Sequence, residues 1–176
     1  MDEKTEGQLR VIRKVTAVLQ ADDISAWLFG GWGLDARIGR ITRRHGDVEF
    51  WVERVHAERS KALLVGAGAM ALTTQPAEES CEFTLDDIPF STAYFDRRSN
   101  GSSSQPLGRF SDWLFPPGSF GDEPVALDGT PVLAMSVHGM LAMKEQFPHL
   151  CNGRPWRQKD IADMEILREL VSAELS

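Results

Sequence analysis

The chain has 176 residues, a formal charge of −7, and 42% hydrophobic and 26% charged residues; that is room for one substantial core and a cleft, and it excludes wholesale disorder. The acidic balance argues against a general nucleic-acid binder, although a local arginine cluster can still hold one anionic ligand, and it suits a cationic small molecule. No apolar run reaches membrane-spanning length and the N-terminus carries both signs of charge, so a cytoplasmic protein with reduced thiols is expected, Cys81 and Cys151 reading as packing residues without metal-ligand spacing.

Leu9, Ile12, Val15 and Leu19 recur at helical spacing, which predicts an amphipathic helix over 6–21. Ala26 to Phe29 reads as a buried strand ended by Gly30-Gly31. Leu34 to Ile38 follows as a short helix closed by Gly39, with Asp35 and Arg37 forming local ion pairs that fix the polar loop Arg40 to Gly46. A strand is expected at Asp47–Val52, a helix at Ala57–Gly66, and strands at Met70–Thr74, Glu82–Leu85 and Phe90–Phe95, the last two as a hairpin around Asp86-Asp87-Ile88-Pro89. Residues 97–106 have loop composition and mark a mobile segment or a boundary, giving a core over 1–100 and a hairpin-plus-helix part over 101–176, packed as one unit with the core. Asp128-Gly129 is a hairpin turn between Val125–Leu127 and Pro131–Leu133; Ser136 caps a helix through Phe147, and Pro155 opens a last helix through Leu175. The order describes a compact mixed α/β (α+β) sheet flanked by helices.

Residues 27–53 carry the chemistry. On a strand Asp47 and Glu49 share a face while Val48 and Phe50 point into a core, so two carboxylates can hold divalent cations. A Gly-Gly turn lets backbone N–H groups approach a polyphosphate, and Arg43, Arg44 and His45 just upstream offset negative charge. Each piece alone is common. Strand, Gly-Gly, helix and then Asp-x-Glu on a second strand, sixteen positions after Gly31, together make a nucleotidyltransferase pattern.

The run GGWGLDARIGRITRRHGDVEF, through Gly30, Gly31, Trp32, Asp35, Gly39, His45 and Asp47, closely resembles the antibiotic nucleotidyltransferases, particularly the aminoglycoside 2″-adenylyltransferases and the lincosamide nucleotidyltransferases. Similarity is tight over residues 27–50 and looser afterwards, where a hairpin, a helix bearing Lys144 and an RxKDxxD helix at Arg157–Asp163 keep the order. The resemblance implies a polymerase-β-like nucleotidyltransferase fold, Mg²⁺ and ATP, and transfer of a nucleoside monophosphate to a hydroxyl of a small molecule. It implies that Gly30 and Gly31 line the triphosphate and that Asp47 and Glu49 bind metal, Glu49 being longer than the aspartate usual there.

A third carboxylate, which the family carries on a later strand, is not evident. Alignment of 88–95 puts Ser91 or Thr92 at its place; Asp86, Asp87, Glu82 and Asp96 are near in sequence, with Asp96 and Asp87 ranked first as strand-end residues. Lys144 and Lys159 reach the donor phosphates or are solvated helix-surface lysines. Asp160 and Asp163 pair with Arg157 or Lys159, or face a cationic acceptor. Trp32 and Trp113 cover a base or sugar, Trp51 packs in the sheet, and His45 bonds a carboxylate or phosphate or is structural. The competing expectation is a degenerate fold member that binds nucleotide, small molecule or protein without turnover; a nucleotidyltransferase toxin or antitoxin partner acting on tRNA or protein ranks third.

Overall fold

The computed structural model describes residues 2–72, 78–105, 113–150 and 153–174. Cys151, Pro106 of the polar loop and the last residues of the strand expected at Met70–Thr74 lie outside them. The first helix, α1 (Glu3–Gln20), is capped by Asp2, whose carboxylate accepts from the Thr5 amide, and it buries Leu9, Ile12, Val15 and Leu19 as their spacing requires. Strand β1 (Ala26–Leu28) is fully buried and runs through Phe29 into α2 (Gly30–Ile38), which Gly39 closes in the left-handed region. The Gly-Gly pair is therefore the first turn of a helix that begins four residues before Leu34, not a separate turn ahead of it.

The order continues with β2 (Val48–Glu53), α3 (Ala57–Gly66), β3 (Met70–Ala71), β4 (Ser80–Leu85) and β5 (Ile88–Arg97). Short β6 (Ser103–Ser104) and β7 (Leu114–Phe115) lead to the hairpin of β8 (Val125–Leu127) and β9 (Thr130–Ala134). Helices α4 (Val137–Leu150) and α5 (Gln158–Glu174) end the chain, and the Ser136 hydroxyl accepts from the Gly139 amide as the expected cap. The last helix starts three residues after Pro155. Both hairpins turn on two residues at positive φ, Asp86-Asp87 and Asp128-Gly129.

The sheet order is β3-β4-β5-β2-β1-β9-β8, with β2 parallel to β5, β1 parallel to β9 and the other neighbours antiparallel. Alternation along the strands sorts two cores. Val48, Phe50 and Val52 of β2, Phe90 and Tyr94 of β5, and Cys81 and Phe83 of β4 face α1. On the other face Trp51 and Phe95 join Trp27, Phe115 and Phe120 against α4 and α5. Phe95 and Phe120 stack at 3.7 Å and Trp27 meets Phe95 edge-on at 5.5 Å. Each such side chain, fully buried, contributes about 1.5–3 kcal/mol. The face that α4 and α5 cover is the face that carries Glu49.

Candidate active site

The C-terminal end of β1, the start of β2 and the facing turns of α4 and α5 enclose a small recess of about 40 Å³. Its walls are Gly30, Gly31, Arg43, His45, Asp47, Glu49, Lys144, Arg157, Lys159, Asp160 and Asp163. An adjoining slot of about 130 Å³ shares Gly30, Glu49, Lys144, Arg157 and Asp160 with it and adds Phe29, Trp113, Met143 and Phe147. Polar recess and aromatic slot thus meet at Glu49.

No side chain caps α2 at its N-terminus, and Gly30 and Gly31 of its first turn line the recess. Gly30 has φ +62, and a Cβ there would lie 2.6 Å from the Glu49 Oε2. A Cβ on Gly31 would lie 2.2 Å from the His45 Nδ1. Glycine is required at both places because the helix start runs against these two side chains. Such an end, with free amides and the positive pole of the helix, is an anion site in waiting.

His45 is buried, its Nε2 2.6 Å from the Asp35 Oδ2 and its Nδ1 3.1 Å from Arg43. Asp35, fully buried, also accepts from the Thr42 amide and hydroxyl, so it does tie down the loop 40–46. Arg37 plays a different part from the one its spacing predicts, for its guanidinium donates to the carbonyls of Ala134 and Met135 and locks α2 to the end of β9.

Asp47, one residue ahead of β2 rather than its first residue as expected, and Glu49, on it, both line the recess. Burial first, then the Asp47 charge, pushes Glu49 up to about 7, with Lys144, Lys159 and Arg157 pulling the other way. A carboxyl held that far above its usual range is one that a cation would stabilise. Two carboxylates are an ordinary donor set for Mg²⁺, which takes one or two carboxylates and fills its shell with phosphate oxygens and water. Among the described residues no group of three or more His, Cys, Asp or Glu converges to hold a metal.

Lys144 is only 9% exposed and its ammonium sits 3.1 Å from Asp160 and 3.0 Å from Asp163, which corrects the solvated reading. Asp160 also accepts two bonds from the Arg157 guanidinium and one from its amide, and Asp163 accepts two from Arg43. Burial raises Asp160, but the Arg157 hydrogen bonds and the Lys144 charge outweigh it and hold the carboxyl at about 2. Both aspartates are thus internally paired, with Lys144 and Arg43 as partners that sequence spacing did not supply. Lys159 is exposed at the rim.

Four expected residues lie elsewhere. Trp32 is 1% exposed, packed against His45 at 4.7 Å, and serves the core rather than a ligand. The Arg44 side chain is 78% exposed and pairs with Asp2. Asp96 pairs with Arg54 and, an odd number of residues from Ser91 along β5, points to the opposite sheet face from it. Asp87 occupies the β4–β5 turn and does not line the recess. The parallel register sets Ser91 opposite Glu49, whereas Thr92 is buried on the α1 side, so the hydroxyl beside the acidic pair belongs to Ser91.

Known proteins share this architecture. Residues 11–167 match the family model described as aminoglycoside-2″-adenylyltransferase. A 2″-aminoglycoside nucleotidyltransferase of Escherichia coli is 40% identical over 42 residues, which span 24% of this chain and 24% of that relative; one from Klebsiella pneumoniae matches equally. The solved structure of ANT(2″)-Ia with adenylyl-2″-tobramycin superposes with a TM-score of 0.76 at 20% identity, over 96% of this chain and 91% of the other. Lincomycin-bound LnuA, a lincosamide antibiotic adenylyltransferase, gives a TM-score of 0.65 at 16% identity over 96% of both chains. At those identities the two structures establish a shared nucleotidyltransferase fold.

Proposed function

The chain belongs to the aminoglycoside-2″-adenylyltransferase family, and on that premise we propose that it is a Mg²⁺-dependent enzyme that transfers AMP from ATP to a hydroxyl of a small molecule, an aminoglycoside or a lincosamide. One observation carries the reading: an uncapped helix start, an acidic strand pair and a set of cations line the same recess, which opens on an aromatic-walled slot. The acceptor classes come from the tobramycin and lincomycin adducts and complexes of the structural relatives.

In the reaction the acceptor oxygen bonds to the α-phosphorus as the bond to the pyrophosphate oxygen breaks, and the hydroxyl proton departs. Such a transfer asks the protein for position and charge more than for covalent help. The amides of Gly30 and Gly31 receive phosphate oxygens at the positive end of α2. Lys159 and Arg157 reach the donor phosphates from the rim, and the slot of Phe29, Trp113 and Phe147 offers flat apolar walls to a ring. Asp47 and Glu49 would hold Mg²⁺, which supplies neutralisation of the phosphates and of the developing charge.

Incubation with ATP, Mg²⁺ and either tobramycin or lincomycin is expected to add one adenylyl group to the drug, read by mass spectrometry. Asp47→Ala should abolish the product; an active protein whose turnover survives that change overturns the assignment. Ser91 opposite Glu49 favours a second reading, a fold member that holds nucleotide without turnover. Tight binding of a non-hydrolysable ATP analogue without transfer to any acceptor would be its signature.

A further inference from the structure

The Arg43 guanidinium is held from two sides. Its Nη1 lies 3.1 Å from the His45 Nδ1, while its Nη2 donates to both carboxylate oxygens of Asp163 at 3.2 and 3.1 Å. The same Nη2 would stand 3.1 Å from a Cβ on Gly31, so the charge rests against the first turn of α2. Of Arg43 and Arg44, only Arg43 lines the recess, and with its side chain 34% exposed it stays open to an arriving ligand. It adds a full positive charge to the positive end of the helix.

The partners of His45 decide which of its nitrogens carries the proton. A guanidinium only donates, so the Nδ1 that faces it accepts with its lone pair; a proton there would set donor against donor. The proton is then on Nε2, which donates over 2.6 Å to the Asp35 Oδ2. Asp35, fully buried, already accepts from the Thr42 amide and hydroxyl and presents lone pairs to the ring. Trp32 packs the ring at 4.7 Å, and the buried Gln8 amide donates to the His45 carbonyl over 3.4 Å. Ring, backbone and tautomer are all set from below. The two ends of the guanidinium therefore differ in what they can exchange. An anion at the start of α2 can take the place of Asp163 on Nη2, since phosphate and carboxylate oxygens accept alike. That exchange leaves the Nη1 contact with the buried ring in place, so the guanidinium keeps its plane and loses little rotamer freedom on binding.

We propose that Arg43 binds the nucleotide phosphates at the first turn of α2 and that His45 is its positioning residue: in the Nε2–H tautomer imposed by Asp35, the ring accepts from Nη1 and so aims Nη2 at the phosphate. The inference rests on the nucleotidyl transfer proposed above.

The test uses the full chain and two readouts. Long-range proton–nitrogen NMR of the His45 ring, with no ligand added, should show the proton on Nε2 and a bare Nδ1. Two substitutions then separate the ring nitrogens. His45→Asn sets an amide oxygen at the Nδ1 position and gives up Asp35, whereas His45→Gln reaches Asp35 from the Nε2 position and leaves nothing for Arg43. In calorimetric titration with Mg²⁺ and α,β-methylene-ATP, His45→Gln is expected to lose affinity by about tenfold, the loss of one hydrogen bond to a charged group, and His45→Asn to recover most of it. Arg43→Gln, at a partly exposed position, should cost at least as much as His45→Gln. A purely structural histidine predicts the reverse order, because the Asp35 bond would then govern both stability and binding. A proton on Nδ1, an Asn variant that binds more weakly than the Gln variant, or unchanged affinity in Arg43→Gln overturns the inference and leaves the transferase reading intact. If wild type binds no analogue, the transferase reading falls and this inference falls with it.

Discussion

Burial raises both carboxyls that line the same recess, Glu49 and Asp160, yet they end on opposite sides of their ordinary values because only Asp160 has cations hydrogen-bonded to it. Asp160, held at about 2, stabilises the fold above its ordinary value near 3.8, and that contribution is lost as pH falls toward 2. Glu49 has the reverse sign. An unfolded chain releases this proton near 4.5 and the folded one keeps it to about 7, so folding takes up a proton in that window and stability declines as pH rises through it. Glu49→Gln keeps the shape and removes the cost. We expect the metal-free variant to exceed wild type by about 1–3 kcal/mol above pH 7 and to match it below pH 4.5, as read by urea denaturation across that range. A gain that does not change with pH would end this account. The carboxylate pair itself is legible from the alternation in Asp47-Val48-Glu49, since strand periodicity is a local property. Its environment is not, because Lys144 and Arg157 approach it from elements far later in the chain.

The elements most readable in advance are those whose ends are written in short-range chemistry: Gly39 closing α2, Asp128-Gly129 turning β8 into β9, Ser136 opening α4. The start of α2 departs from expectation, since glycines read as a break and here they begin the helix. Tertiary crowding is the reason: Glu49 and His45 leave no room for a side chain on that first turn. Gly31→Ala therefore forces His45 out of its place beside Asp35. We expect a loss of about 1–3 kcal/mol in stability together with weakened binding of an ATP analogue, measured by denaturation and by calorimetric titration. Unchanged values in both would show that the close approach is dispensable. Register is beyond the reach of sequence alone: that Ser91 stands opposite Glu49 depends on which residue of one strand meets which of the next. A strand-end position favours Asp96 in the sequence, yet Asp96 faces the other side of the sheet.

The molecule joins its two ends through the site. Strand β9 pairs with β1, α4 and α5 cover the Glu49 face, and Arg43, from the loop that follows α2, reaches Asp163 on the final helix. The mixed sheet with flanking helices is legible from the alternation of patterns along the chain, whereas this long-range closure is not, since neither Arg43 nor Asp163 stands near its partner in sequence. The Asp163 contacts carry one more consequence. Arg43 and Lys144 already have an anion, so a phosphate that seeks them enters as a rival for occupied partners, and its apparent affinity is a difference between two ion-pair energies. The site carries its own competitive inhibitor, present at fixed stoichiometry and never diluted. Asp163→Asn evicts that competitor: ATP-analogue affinity should rise severalfold even as the fold loses stability, and a calorimetric titration in which affinity falls would mean that Asp163 positions the two cations rather than contests them.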